Sequence, residues 1–307
     1  TKHCQFYVKK VDAMKNHISV VLLVGYWAWR SAGCRSQYRK KIKAAASKLR
    51  HESMAEQNWR DVWTNTTVSF YAAENLMNRF LLSQNLGEST SNNGVLQRTT
   101  NNLLHLFGPE LDDPKANENN DIPEAFLCFY RGELPDFVET GPSPLHRKYK
   151  KQSYRLDLAY RGTDFCGWQT QDKHNQDPTL RPAVQQLVEA ALGNRDVRVA
   201  GRTDAGVHAV GQVARVRCES NVSMEDLWQQ LQEASARSGS WVCRRIMPVS
   251  QSFHPTFGAT SRSYVYLIDA DENLERAFGD LEGLTCRLNA LLAPLEEQCL
   301  PYLALSY

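Results

Sequence analysis

Ten residues constrain this chain more than any others: Ala200, Gly201, Arg202, Thr203, Asp204, Ala205, Gly206, Val207, His208 and Ala209. They gather a carboxylate, an arginine, two glycines and a histidine between apolar, strand-like segments at 197–200 and 212–216. A loop anchored at both ends by ordered elements cannot wander, so Asp204 is expected on a tight turn rather than in a flexible tail. The glycines permit backbone angles and close approaches that other residues resist. Arg202 can pair with Asp204 or with a phosphate, and either arrangement favours the ionised acid. The pattern predicts a presented, charged nucleophile or base.

Two further segments carry information of the same kind. One runs Tyr160, Arg161, Gly162, Thr163, Asp164, Phe165, Cys166, Gly167, Trp168, Gln169; the other runs from Phe253, His254 and Pro255 to Arg262, Ser263, Tyr264, Val265 and Tyr266. Together with the central stretch and its continuation through Gln212 and Val213, they resemble, in the same order, three motifs of the TruA-type tRNA pseudouridine synthases. The resemblance covers about 152–270 well and 271–307 faintly, and does not reach 1–150.

That resemblance implies RNA, and tRNA in particular, as the partner, and uridine-to-pseudouridine isomerisation as the reaction. It assigns the essential carboxylate to Asp204, a base-flipping and positioning role to Arg202, and the aromatic contact with the target base to Tyr264. Substrate contacts by Arg161, Gly167, Gln169, Thr203, Gly206, His208 and Arg262 follow from the same motifs. The reaction breaks the C1′–N1 bond, turns the base and rejoins it through C5, so no redox cofactor, metal or nucleotide is demanded. It needs an ionised carboxylate near the sugar, a flipped base held by stacking, and positive charge for the backbone.

Blander readings stand beside each residue. An Arg–Asp pair on a loop is often a turn-fixing bridge, a strand tyrosine is most often core, and a lone histidine such as His208 is more often structural than a general base. Asp204-Ala205-Gly206 also resembles an aspartic-protease turn, but such enzymes need two aspartates sharing a proton and no second turn of this type is present. The chain departs from the family pattern at 230–241, where an Asn and a Leu-Pro turn are usual. Most of the family's C-terminal half, with its apolar residue beneath the base and its basic partner for the aspartate, matches nothing here. The expectation is an incomplete cleft. A competing expectation is a family member recruited as a structural, inactive subunit of an organellar ribosome or membrane complex, contacting it through residues 1–150.

Charge is distributed unevenly. Residues 1–60 carry 13 basic against 3 acidic side chains, 61–150 carry 7 against 12, and 151–307 carry 16 against 19. The eight cysteines have no CxxC pair and no short Cys/His spacing suited to zinc. They read as reduced packing residues, which favours a reducing compartment: an organelle (mitochondrion or plastid), cytoplasm or nucleus. The first residue is Thr1, so a removed presequence or missing first residues are expected.

The organisation predicted is a basic, mainly helical extension over 1–86, a loop-rich linker over 87–150 and a TruA-like domain over 151–307. Ile18–Trp29 is a nearly continuous apolar run of 12 residues, short for a membrane helix and suited to a buried helix or strand. Its tryptophans and the arginines after it keep a membrane contact in view. Apolar spacing predicts helices over 37–60 and 63–86. Ser-, Asn- and Pro-rich runs at 87–102 and 108–121 predict loops. In the last domain, Leu156, Leu158 and Tyr160 alternate with polar residues as in a strand. A helix is expected over 183–192 with Gly193 as its stop, and another after Ser223, with Asp226 completing a capping box. The fold class expected is α+β: an antiparallel sheet with helices on one face, preceded by the helical extension.

Overall fold

The computed structural model describes residues 2–13, 18–29, 71–86, 89–92, 94–98, 133–134, 151–170, 180–259, 261–270 and 286. The chain divides into two compact units, one formed by 74–259 and the other by 1–73 with 260–307.

In the larger unit, helix α1 (Tyr71–Leu86) and the short hairpin β3 (Ser89–Asn92) and β4 (Val95–Arg98) precede strand β5 (Lys151–Tyr160). There follow α2 (Val184–Ala191), β6 (Val197–Val199), β7 (Ala209–Glu219), α3 (Met224–Ser238), β8 (Trp241–Val249) and the single turn α4 (Pro255–Gly258). The strands make one six-stranded sheet in the order β3-β4-β8-β5-β7-β6, every neighbouring pair antiparallel. This is the α+β architecture expected from the sequence.

Strand β5 lies inside the sheet, and its period of two sorts its residues onto two very different faces. Tyr154, Leu156, Leu158 and Tyr160 enter a continuous apolar cluster with Val184 and Val188 of α2, Leu227, Trp228 and Leu231 of α3, and Trp241, Cys243 and Ile246 of β8. Helices α2 and α3 therefore cover the same side of the sheet. Cys218 and Cys243 belong to this cluster; burial pushes the Cys218 thiol up to about 11 and raises Cys243 further. Thiols held so firmly protonated are packing groups rather than nucleophiles.

The other face of β5 is charged and equally buried. Asp157, 1% exposed, accepts from Arg155 at 2.8 Å on one carboxylate oxygen and from Arg245 at 2.6 Å on the other. A bulge between β5 and β8 follows this pair, where the register shifts between Asp157 and Leu158. Next to it Arg244, 2% exposed, stacks its guanidinium over the ring of Phe80 in α1, with 4.9 Å to the centroid. Helix α1 is thereby tied to the sheet.

Local signals explain the ends of α3. Ser223 accepts the backbone N–H of Asp226 at 3.0 Å, and Glu225 and Asp226 place negative charge in the first turn. Gly239, at φ 68°, ends the helix and donates its N–H to Ser235 O at 2.8 Å.

In the smaller unit, β1 (Lys2–Ala13) and β2 (Ile18–Trp29) form an antiparallel hairpin, and β2 pairs with β9 (Ser261–Ala270). The helical reading of the first 86 residues holds for α1, whereas 2–29 is a hairpin. Its β-branched and aromatic composition favours an extended strand once a partner such as β9 is available. The loop expected over 87–102 is overturned at 89–92 and 95–98, where β3 and β4 form a hairpin because Leu96 and Gln97 pair with Ile246 and Arg245 of β8. The helix expected over 37–60, the loop over 108–121 and the faint resemblance over 271–307 lie outside the described residues, Cys286 apart. Among the described residues no helix is long and apolar enough to cross a membrane.

Candidate active site

The loop carrying Asp204 leaves β6 and returns as β7, so both its ends are fixed by neighbouring antiparallel strands. Its first residue is tied across, with the Ala200 N–H donating to Val213 O at 2.8 Å. Gln212 then reaches back from β7 and donates through Nε2 to Gly201 O at 2.7 Å. The hydroxyls of Tyr160 and Thr203 share a hydrogen bond of 2.8 Å. At the tip, Val207 N–H donates to Asp204 O at 3.2 Å and closes a turn.

A second segment clasps this loop from the side. The chain after β5 runs through a 3-10 turn at Gly162–Asp164 and on to Trp168, whose N–H donates to Thr203 O at 3.0 Å. Two glycines make the approach possible. A Cβ at Gly162 would fall 2.2 Å from Val207 O, and one at Gly167 would fall 2.8 Å from Thr203 O. Gly167 also has φ +113°, a conformation that L side chains rarely adopt. The first and second sequence motifs are thus two halves of one backbone contact.

The Gly162 N–H donates to His208 Nδ1 at 3.1 Å, which makes Nδ1 an acceptor and leaves the ring proton on Nε2. Nε2 lies 3.7 Å from Glu74 of α1. Burial lowers the His208 pKa, opposed by Glu74, helped by Arg161 and opposed again by Asp164. Because the folded value lies below that of a free histidine, about 6.5, the unfolded chain takes up a proton that the clasped loop refuses. The contribution of His208 to stability is therefore present above that pH and is lost as pH falls toward the native value. NMR titration of the imidazole is expected to give a midpoint below that of a free histidine; a midpoint above it would contradict this arrangement.

Asp204 and Arg202 are both exposed, while Thr203 and Gly206 are half-buried. Among the described residues no ion pair joins Arg202 to Asp204, so their charges are presented outward rather than spent in a turn-fixing bridge. Arg161 is engaged by Asp164 at 2.7 Å, by Glu74 at 3.6 Å and by Asn78, which anchors α1 beside the loop. Gly167 is buried in the clasp and Gln169 is exposed just beyond it. The structure thus groups Arg161, Gly167, Arg202, Thr203, Asp204, Gly206 and His208 around one loop. Arg262 and Tyr264 lie on β9 in the other unit, where Tyr264 is 41% exposed and opposite Gly25 of β2 in the strand register.

Sequence reading did not single out Gly162, Glu74 or Gln212 as site residues. Gly162 stands inside the 160–169 motif, and its spacing of five from Gly167 was the available signal. Glu74 and Gln212 act through contacts across the fold that leave no local pattern.

Comparison with known proteins bears on what such a loop does. A stretch of 117 residues is 40% identical to a tRNA pseudouridine synthase A of Afipia carboxidovorans, covering 38% of this chain and 46% of that protein. A relative of the same name from Cutibacterium acnes is 37% identical over 114 residues, 37% of this chain and 40% of its own. One from a Bradyrhizobium species is 34% identical over 139 residues, 45% and 55% of the two chains. Over that stretch the chain is similar to proteins named tRNA pseudouridine synthase A. The chain spans about half the length of these curated relatives, and no family model matches it.

Within the matched region the glycine clasp gives a sharp expectation. Gly162→Ala must move the Val207 carbonyl and, with it, the turn that holds Asp204. A displacement of about 1 Å at a reacting group can cost on the order of 100-fold in rate. The variant is expected to remain folded but to lose roughly that factor in the rate of any reaction that Asp204 carries, measured beside its Tm. A wild-type rate in Gly162→Ala would show that the close approach does not set the position of Asp204.

Proposed function

We propose that this chain converts uridine to pseudouridine in RNA, with tRNA as the substrate and Asp204 as the reacting carboxylate. The observation that carries the reading is an exposed acid at the tip of a loop whose backbone is fixed on both sides. A carboxylate in that setting meets the ribose of an extruded nucleotide without first breaking an internal salt bridge. The reaction exchanges the C1′–N1 bond for a C1′–C5 bond; C5 loses its proton and N1 gains one, so atoms and electrons balance without a co-reactant. Arg202, presented on the same loop, supplies positive charge for the displaced strand and helps hold the target nucleotide out.

The test is to incubate the chain with an unmodified tRNA transcript and to quantify pseudouridine by nucleoside mass spectrometry. Accumulation at one or a few uridines is the expected result. A chain that binds tRNA and yields no pseudouridine would overturn the isomerase reading. Its stable incorporation into a larger assembly would then favour the structural-subunit alternative.

A further inference from the structure

Two residues before the Asp204 loop begins, the edge of the sheet becomes strongly basic. Arg198 of β6 is the direct cross-strand partner of Arg215 of β7, an unfavourable juxtaposition of like charges, and Arg217 follows two residues along the same face. Backbone carbonyls of the 250–258 segment steady two of them. Arg215 donates to Phe253 O, and Arg217 donates to Gln251 O at 2.8 Å. Thr256 of α4 donates to Val199 O at 2.7 Å and fastens this segment onto β6. The acid in direct contact is Asp196, 3.2 Å from Arg198, and both of those side chains are more than half exposed. Glu219 lies farther along β7 and pairs with Arg195 at 3.7 Å.

An aromatic platform stands on the same segment. Phe257 is 84% exposed, the largest exposure among the large apolar residues described. Its position is nevertheless held: its ring lies over His254 with centroids 4.4 Å apart and planes inclined by 31°, and its N–H donates to His254 Nδ1 at 3.3 Å. The His254 pKa is lowered, first by lost solvation and then by the fields of Arg215, Arg198 and Arg217. An exposed ring fixed in orientation beside the exposed guanidiniums of Arg198 and Arg217 meets both needs of a nucleotide, a face for its base and charge for its phosphate.

We propose that Phe257, Arg198 and Arg217 form a docking site for one unpaired RNA nucleotide outside the Asp204 loop. The base stacks on Phe257 and the phosphodiester bridges the two exposed arginines. This rests on RNA being the substrate, and it adds a second grip that fixes the direction in which the strand approaches Asp204. Charge decides against a purely apolar occupant, which gains nothing from exposed guanidiniums, whereas an RNA nucleotide offers a phosphodiester to Arg198 and Arg217 and a base to Phe257.

The experiment measures binding of a fluorescein-labelled, unmodified tRNA transcript to the full chain by anisotropy across a salt series. Phe257→Ala is expected to weaken binding about tenfold, within the range for loss of one base–aromatic stack. Phe257→Trp should retain affinity, and Phe257→Leu should lose as much as the alanine variant, which separates stacking from simple apolar contact. Arg198→Gln and Arg217→Gln should each reduce the slope of log affinity against log salt by roughly 0.7, as for one single-strand phosphate contact. Because the side chain of Phe257 is exposed, its variants should keep the wild-type Tm. Wild-type affinity and slope in these variants would overturn the proposal, as would a lowered Tm in Phe257→Ala, which would mean that protein covers the ring. If uridine is converted while these variants bind normally, the docking site fails and the isomerase reading stands. If no pseudouridine forms but these variants lose tRNA, the docking site stands alone.

Discussion

Asp204→Asn is expected to abolish pseudouridine formation while leaving the fold and the tRNA affinity intact. Asparagine matches aspartate in size, and the Asp204 backbone carbonyl, which accepts from Val207 N–H, is unchanged. The side chain itself is exposed and makes no ion pair among the described residues, so its loss should move stability by no more than about 0.5 kcal/mol. The amide has no negative charge to offer the sugar, and removal of a reacting group commonly costs three or more orders of magnitude, so a loss of at least roughly 10³-fold in kcat is expected. Single-turnover conversion, Tm and tRNA affinity measured on the same preparation would check all three parts. A wild-type rate would remove Asp204 from the chemistry.

Asp157→Ala is expected to have the opposite profile, a large loss of stability at a residue with no part in the reaction. Its two oxygens receive Arg155 and Arg245 in a setting where the carboxylate is 1% exposed. Removing one member of such a buried group typically costs about 3–5 kcal/mol, because the partner charges stay behind in a poor solvent. For a folded unit of this size that corresponds to a fall in Tm of roughly 6–20 °C. Adding Arg245→Leu to Asp157→Ala should cost less than the sum of the two single losses, since the second change removes a charge the first had stranded. Additive losses would show that the contact contributes little.

Local patterns were legible where one element determines its own conformation. The alternation of Leu156, Leu158 and Tyr160, the cap at Ser223 and the stop at Gly193 are decided by neighbours within a few residues, and sequence reading placed all three. The polar side of β5 illustrates what was not legible. Arg155 and Asp157 alternate as a solvent-facing strand would, and only the arrival of Arg245 from β8 makes their burial tolerable. Over 18–29 the apolar run left helix and strand open, because β9, the second strand that pairs with it, lies more than 230 residues away. At the site, the motif residues were visible as a set, yet the function of Gly162 depends on Val207, 45 positions on, which no local window contains.

On the proposal that Asp204 is the reacting carboxylate and RNA the substrate, the two-glycine clasp also decides which party must move. Thr203 O, Val207 O and the ring of His208 are all held against the 162–168 segment, so the turn bearing Asp204 has little freedom to swing toward a stacked uridine. The reorganisation then falls on the RNA, which must unstack its nucleotide at a cost of a few kcal/mol and deliver it to a stationary acid. Selectivity among uridines follows from that division of labour. Those already in loops or at strained junctions meet the carboxylate cheaply, and those within stable helices do not.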